Sequence, residues 1–594
     1  MRRIPPAARA LALLAVIAAV AGSAGCNRTE TRRVHARLTD HVHRTDAMAR
    51  PSTAGYQFER IGEQTRPVLA PGGDAGGDPS PQPFSVKLDV PDGAELEVGF
   101  GVPQDGIAAD DSVTFEITAT VDDELFGLLS ETVGGEGNEI GVWHDVRVDL
   151  APIVGEAALE LTVSSAGGYF SEPIITVPVE PETAHPYNLI LISIDALRAD
   201  RMGVYGHEAD TTPNIDRIFG QDGLVVERCY TNAADTRAAH AAMMTGLLPT
   251  TVLLDESGEP HLAEWAPMLA DELRAAGYRT AAFTENAWVS GAFGFRRGFE
   301  RYDEASGVEK GTLTPGKLEQ TFERTLDWIA NHADQPFFLF AQTYQIGPPY
   351  DAPGPYADRF PVPDNASPET ADSVAYDREV RYVDAVLGDL VSALDRLGVG
   401  ARTLLVVTSD HGEEIGEHGR RGHGTNLHDE VLRVPLLMRA PDLLPPGTRW
   451  PGPMGLVALT PTLLDLIGRE PPADVDGDTF ASHILEGAPP EPVAIYHEAR
   501  SAEAATYDGP DPTWIAPSFA VTTWPWRLIR VRTPNDGTRY ELYDLANDPG
   551  ETSNLYEARA DAVAFTRARL DRYDEFRRGR RAALAVPKGD PSLR

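Results

Sequence analysis

Cysteine is nearly absent from this chain of 594 residues: it has two, Cys26 and Cys229. That excludes a disulfide framework as the source of stability, and Cys229 is expected to be an ordinary buried small residue. Positive charge is also scarce. Lys and Arg total 52 against 90 Asp and Glu, a formal net charge of -38, which argues against a protein that tracks nucleic-acid phosphates. The same field repels any anionic substrate, so such a substrate has to be captured locally, by a metal ion or a few arginines. No internal repeat is visible. The longest apolar run near the start, Leu11 to Ala21, is too short to span a bilayer as a mature helix. What remains is a chain with 42% hydrophobic and 24% charged residues, enough for at least one large core and for two or three domains, and incompatible with disorder throughout.

The first 25 residues carry Arg2 and Arg3, the apolar run, and Gly22-Ser23-Ala24-Gly25 before Cys26, the three parts of an export signal. The small residues before the cysteine resemble a bacterial lipobox, although Ser23 stands where Leu is usual. The expectation is an exported chain, lipid-anchored through Cys26 in the cell envelope, at the outer membrane or in the periplasm. Residues 26–82 are rich in Arg, Thr, Asp, Gly and Pro without periodicity and are expected to be a flexible tether. From 83 to 180 short alternating runs such as Ser85-Val86-Lys87-Leu88-Asp89-Val90 and Leu159-Glu160-Leu161-Thr162-Val163 predict a small all-β sandwich. It resembles the jelly-roll modules that accompany carbohydrate-active enzymes; a passive spacer fits the same pattern.

Beyond Pro186 strand-like runs alternate with amphipathic segments, the pattern of a mostly parallel sheet flanked by helices. Candidate strands are 189–194, 280–283, 337–340 and 404–408; candidate helices are 267–276 and 376–397, stopped by Gly277 and Gly398. In such sheets ligands sit beyond the carboxyl ends of the strands. Asp195 follows the run Asn188 to Ile194, and Asp410 with His411 follows Thr403 to Ser409. Carboxylate oxygens and an imidazole at one rim suit a divalent cation such as calcium, magnesium, manganese or zinc. Taken singly, each acid equally reads as the cap of a turn.

Asp195-Ala196-Leu197-Arg198-Ala199-Asp200, Thr212-Pro213-Asn214-Ile215-Asp216, Thr245-Gly246, Arg297-Gly298-Phe299-Glu300, Ser409-Asp410-His411-Gly412-Glu413, Arg433-Val434-Pro435-Leu436 and Leu542-Tyr543-Asp544-Leu545 occur in that order. Together they resemble the landmarks of the sulfatases, across about residues 187 to 560. The resemblance implies an alkaline-phosphatase-like α/β fold over 187–490, with a small α+β C-terminal subdomain over 491–594. It also implies a nucleophile nine residues before the Thr245-Gly246 pair, which is Thr236. A hydroxyl there, at the start of a helix, would face free amides and the positive dipole end; an N-cap threonine without chemistry is the alternative.

By the resemblance, Asp195, Thr236, Asp410 and His411 hold the metal, Thr236, His240 and His423 form the catalytic set, and His240, His423 and His428 contact the substrate. The sequence departs from the family at named places. The five residues Thr236-Arg237-Ala238-Ala239-His240 replace the usual C/S-x-P-S-R, so formylglycine is not expected; they come nearer the T-x-P-S-H of phosphoglycerol and phosphoethanolamine transferases. Gly347 stands where the family usually has a histidine, and Ala196 replaces a second acid. The expected function is a metal-dependent ester hydrolase or transferase acting on a sulfated or phosphorylated small molecule, glycan or lipid headgroup. The alternative is a catalytically degenerate lipoprotein that binds glycans or envelope partners.

Overall fold

The computed structural model describes residues 31–38, 57–69, 83–108, 111–165, 167–179, 187–254, 261–285, 287–305, 308–309, 312–313, 317–499, 518–533 and 537–584. The expected export signal and Cys26 lie outside these residues. No helix among the described residues is long and apolar enough to cross a membrane.

The central strand is Asn188–Ile194, buried at every position. It pairs in parallel with Phe337–Thr343 on one side and Thr403–Thr408 on the other. Arg279–Thr284 and then Arg301–Glu304 extend the parallel sheet past Phe337–Thr343, while Leu436–Arg439 adds antiparallel to Thr403–Thr408. Near-continuous Val, Ile, Leu and Phe runs are what a sheet covered on both faces requires. Leu189 and Leu191 point to a core shared with Met243, Leu269 and Leu463. Ile190 and Ile192 point to the opposite one, shared with Phe322, Tyr376 and Leu387. Each cover is a helix layer: Thr236–Thr245, Leu269–Ala275 and Leu459–Leu466 on one face, Leu318–His332 and Pro368–Arg396 on the other.

The last of these helices starts eight residues before the expected Tyr376. Ser367 caps it by accepting from the Thr370 amide at 3.2 Å, and Pro368 fills the first turn, a start signal that apolar spacing alone does not reveal.

The N-terminal region is a sandwich. Phe84–Val90, Gly155–Val163, Ser112–Val121 and Glu124–Gly134 form one four-stranded sheet. It packs through Phe115, Ile117 and Leu159 against Leu96, Phe100 and Phe170 of the other sheet. That second sheet is not separate from the one in the main domain. Gln64–Leu69 pairs antiparallel with Arg301–Glu304, Tyr302 opposite Thr65, so a single 15-stranded sheet runs from the sandwich into the main domain. The tether expected over 26–82 is therefore corrected for its described parts. Arg32–Arg37 pairs with Ile174–Pro178, and Gln57–Ile61 with Gln64–Leu69; their edge pairing comes from tertiary contacts that local composition does not encode.

Buried charges fasten this junction. Arg279 Nε lies 2.6 Å from Glu300 and its other end pairs with Glu97, while Gln335 donates to Glu97 at 2.7 Å. Arg37 pairs with Glu300 and donates to the Tyr278 carbonyl at 2.8 Å. Burial pushes the Glu97 carboxyl up, but Arg279 and Arg147 outweigh it and hold the group down at about 2. Its stabilising contribution is thus fully present above its unfolded value near 4.5 and is lost as pH falls toward 2. Replacing Arg279 by Met strands Glu97 and Glu300, and is expected to cost about 3–5 kcal/mol in denaturant unfolding at neutral pH. In the variant the loss of stability between pH 4.5 and 2 should become shallower; an unchanged acid limb would show that Arg279 does not hold Glu97 down.

Candidate active site

Asp195 leaves the carboxyl end of the central strand, its amide continuing the ladder to the Thr343 carbonyl at 3.0 Å. The chain then turns through Ala196 at φ 59, a left-handed conformation that costs a residue with a Cβ about 1 kcal/mol. Neighbours hold the turn in place. Tyr376 Oη donates to the Ala196 carbonyl at 2.7 Å and accepts from the Arg198 amide at 2.8 Å, and the Leu197 amide donates to Ser409 Oγ at 3.0 Å.

Asp410 and His411 leave the end of the adjacent strand, and both are fully buried. Asp410 Oδ1 accepts from the His411 amide at 3.0 Å. Its Oδ2 has no hydrogen-bond partner and stands 3.4 Å from His411 Nε2 and 3.5 Å from His240 Nδ1. His411 Nδ1 lies 2.9 Å from the Gly412 carbonyl, which can only accept, so Nδ1 carries the proton and Nε2 presents its lone pair to the site.

Thr236 opens the helix Thr236–Thr245, whose cap is Asp235, accepting from the Ala238 amide at 3.2 Å. Its hydroxyl lies 3.2 Å from Asp195 Oδ2 and 3.1 Å from His411 Nε2. The C-terminal subdomain aims it. Glu498, in the strand Ile495–Ala499, donates to the Asn232 carbonyl and accepts from the Ala234 amide, both at 3.0 Å, clamping the segment just before the helix.

Asp195, Asp410 and His411 place one ligand atom each within 4.8 Å of one another, all buried. With Thr236 Oγ1 this is a set of lone pairs that contains one hydroxyl proton. Burial first, and the Asp410 charge second, push the Asp195 carboxyl well above its ordinary value. Such an arrangement is a strained one without a cation, and three oxygens with one imidazole nitrogen are a donor set for a divalent ion.

His423 stands beside this group, its ring centroid 4.0 Å from that of His411. Burial works against its charge, but Nδ1 donates to Glu413 Oε2 at 3.0 Å, and that carboxylate raises the imidazole to about 9. His240 is placed differently from its sequence-based role. It is fully buried, Nδ1 donates to the Thr236 carbonyl at 2.8 Å and Nε2 accepts from Ser193 at 2.9 Å. Both nitrogens are engaged, so His240 positions Thr236 and the helix start rather than touching a substrate. His428 likewise makes no recorded contact with the cluster among the described residues; it stacks on His418 with centroids 3.9 Å apart. Gly347 lies where a Cβ would meet nothing closer than the Tyr344 carbonyl at 3.5 Å. Cys229 is buried in a strand, as expected.

Sequence reasoning missed Arg237 and Tyr344. The Arg237 guanidinium lies 3.6 Å from the Phe293 ring centroid and 5.0 Å from that of Trp288. Tyr344 Oη accepts from the Trp288 amide at 3.0 Å, and the charges of Asp195 and Asp410 help, after burial, to push its hydroxyl up. Adjacency of Arg237 to Thr236 was the available signal.

With this geometry in hand, comparison with known proteins defines the class. The sulfatase family profile matches residues 187–469, and that of the N-sulphoglucosamine sulphohydrolase C-terminal region matches 416–572. Residues 187–572 thus form a sulfatase domain with its C-terminal region, on the alkaline-phosphatase-like plan. The chain is 26% identical to arylsulfatase A of Bos taurus over 456 residues, 64% of this chain and 85% of that protein. It is 24% identical to the multifunctional alkaline phosphatase superfamily protein PehA of Trinickia caryophylli over 477 residues, 62% of this chain and 91% of the other. The phosphonate monoester hydrolase of Agrobacterium radiobacter shares the fold, with a TM-score of 0.54 at 22% identity, covering 66% of this chain and 96% of that one.

Truncating His240 to Ala leaves the buried Ser193 hydroxyl without its partner and removes the second hydrogen bond to the Thr236 carbonyl, which keeps its helical one, and is expected to cost about 1–3 kcal/mol. Denaturant unfolding measures it; a loss of substrate affinity with unchanged stability would instead make His240 a contact residue.

Proposed function

We propose that this protein is a metal-dependent hydrolase or transferase of sulfate or phosphate esters with Thr236 as its nucleophile. The observation that carries the reading is the Thr236 hydroxyl lying within 3.2 Å of Asp195 and 3.1 Å of His411 at a helix start. Asp195, Asp410, His411 and Thr236 would hold the ion, which when bound favours the ionised hydroxyl and screens the ester oxygens. Thr236 Oγ1 attacks sulfur or phosphorus, its proton leaving toward the acceptor already beside it, Asp195 Oδ2. The bond to the leaving group breaks and a threonine ester remains, which water or another acceptor then resolves. His423, held by Glu413 beside His411, is placed to meet the oxyanion. Asp235 and His240 keep the helix start in register with the two acids. The intended substrates are sulfated or phosphorylated small molecules, glycans or lipid headgroups, met outside the cytoplasm by a chain anchored through Cys26.

Thr236→Ala should abolish turnover of aryl sulfate, phosphate monoester, phosphate diester and phosphonate monoester alike, as should chelation. Full activity in the variant would eliminate the threonine mechanism. Gly347 leaves no acid for the leaving group at that position, so esters of acidic phenols should be strongly preferred to alkyl esters. A Cβ at position 347 meets only ordinary contact, with the Tyr344 carbonyl at 3.5 Å, and Gly347→His is expected to raise turnover of the alkyl esters by a factor of about a hundred to ten thousand. A gain equal for aryl and alkyl esters would refute a leaving-group role.

The replacement of Pro and Ser by Ala238 and Ala239, together with Gly347, favours a second reading, a binding lipoprotein that keeps the fold without efficient chemistry. It would stand if the metal-loaded chain turned over none of these esters.

A further inference from the structure

We propose a second metal site, of the zinc class, formed by His418, His428 and Glu430 with Glu541 as fourth donor, which ties the loop that follows His411 to the C-terminal sheet. The first three residues each offer a ligand atom, all within 4.8 Å of one another. His418 Nε2 stands 3.4 Å from Glu430 Oε1, and His428 Nε2 stands 3.4 Å from Glu541 Oε2. The two imidazoles lie face to face, 12° from parallel.

His428 supplies the independent sign of a missing ligand. It is 8% exposed, its Nδ1 has no hydrogen-bond partner, and its Nε2 meets the Glu541 carboxylate at 3.4 Å. An apolar side chain would fill that space without leaving a buried polar atom unsatisfied, a cost of about 1–3 kcal/mol. A metal ion answers it directly. Two imidazoles and one or two carboxylates are a donor set that zinc takes readily. The surroundings are prepared to orient the donors, as outer partners of metal ligands are. Asn426 Nδ2 donates to Glu414 at 2.5 Å and lies 3.4 Å from Glu430 Oε1, and Tyr543 Oη donates to Glu541 Oε2 at 3.2 Å.

The donors stand somewhat farther apart than the roughly 3.3 Å between two ligands of a tetrahedral zinc with bonds of about 2.0–2.1 Å. Binding an ion would also turn the two stacked rings out of parallel so that their in-plane lone pairs converge, and the loop carrying His418 is the element that would move. His418 is held at φ 53 between Gly416 at φ 113 and Gly419 at φ 70. Backbone of this kind persists at sites where the strain serves a function.

The site differs from the one at Asp195. Its donors come from the loop beyond His411, from the start of the helix Asp429–Leu432 and from the strand Gly537–Asp544. An ion there would join the loop carrying His423 to the subdomain whose other strand, Ile495–Ala499, clamps the segment before Thr236.

The test is zinc content. The full chain is stripped with chelator, loaded with zinc alone, freed of excess by gel filtration and analysed by mass spectrometry, with cobalt substitution read in the visible spectrum. His428→Ala and Glu430→Gln are each expected to lower the content by about one ion per chain. Asp410→Asn removes a separate equivalent, so failure of one site is distinguishable from failure of the other. His428→Cys retains a zinc ligand and should recover the lost ion, with a tetrahedral cobalt spectrum carrying a thiolate band. Unchanged content in His428→Ala, or no recovery in His428→Cys, overturns the assignment.

Discussion

Lone pairs from Asp195, Thr236, Asp410 and His411 meet in a buried space with one hydroxyl proton among them. Like partial charges at that separation repel, and burial prevents water from spreading them. The rest of the main domain can be understood as what keeps these groups together against that repulsion. Two parallel strands deliver the acids side by side. A helix start delivers the hydroxyl between Asp195 and His411, and the chain after Asp195 turns left-handed at Ala196. A divalent ion is the natural counterpart of such a set.

The surrounding units act as supports for this geometry. The C-terminal sheet reaches the segment before Thr236 through Glu498 and the loop after His411 through Arg527, which pairs with Glu551 at 3.2 Å and Asp429 at 3.0 Å. The N-terminal sandwich contributes to the far edge of the same sheet, held by strand pairing at Tyr302 and by the Arg279, Glu97 and Glu300 charges. A spacer loosely linked to the main domain would need neither. The sandwich is therefore part of the frame of the domain, with its charges buried where the two meet.

Much of the fold was legible because both faces of the central sheet are covered. Runs such as Asn188 to Ile194 and Thr403 to Thr408 are continuous apolar stretches ended by acids, and that pattern survives without any knowledge of partners. The start of the helix Pro368–Arg396 was missed because its first turns are polar and exposed, and only the Ser367 cap marks it. The strands Arg32–Arg37 and Gln57–Ile61 were read as tether because edge strands are short and mixed in composition. Asp195, Thr236, Asp410 and His411 were picked out from motif and register, and the structure brings them together. The supporting position of His240 and the pairing of His428 with His418 were not picked out, since both depend on which way an imidazole points.

By itself the sequence determined the doubly covered α/β sheet, the order of its landmarks and the positions of the two acids and the threonine, because hydrophobic period and residue spacing are local properties of the chain. Tertiary structure alone decided which imidazole nitrogens stay free, which charges are buried in pairs, and that sandwich and main domain share one sheet. Those outcomes depend on approach between segments hundreds of residues apart, as Arg37 reaches Tyr278 and Glu97 reaches Arg279, and no window of sequence contains both partners.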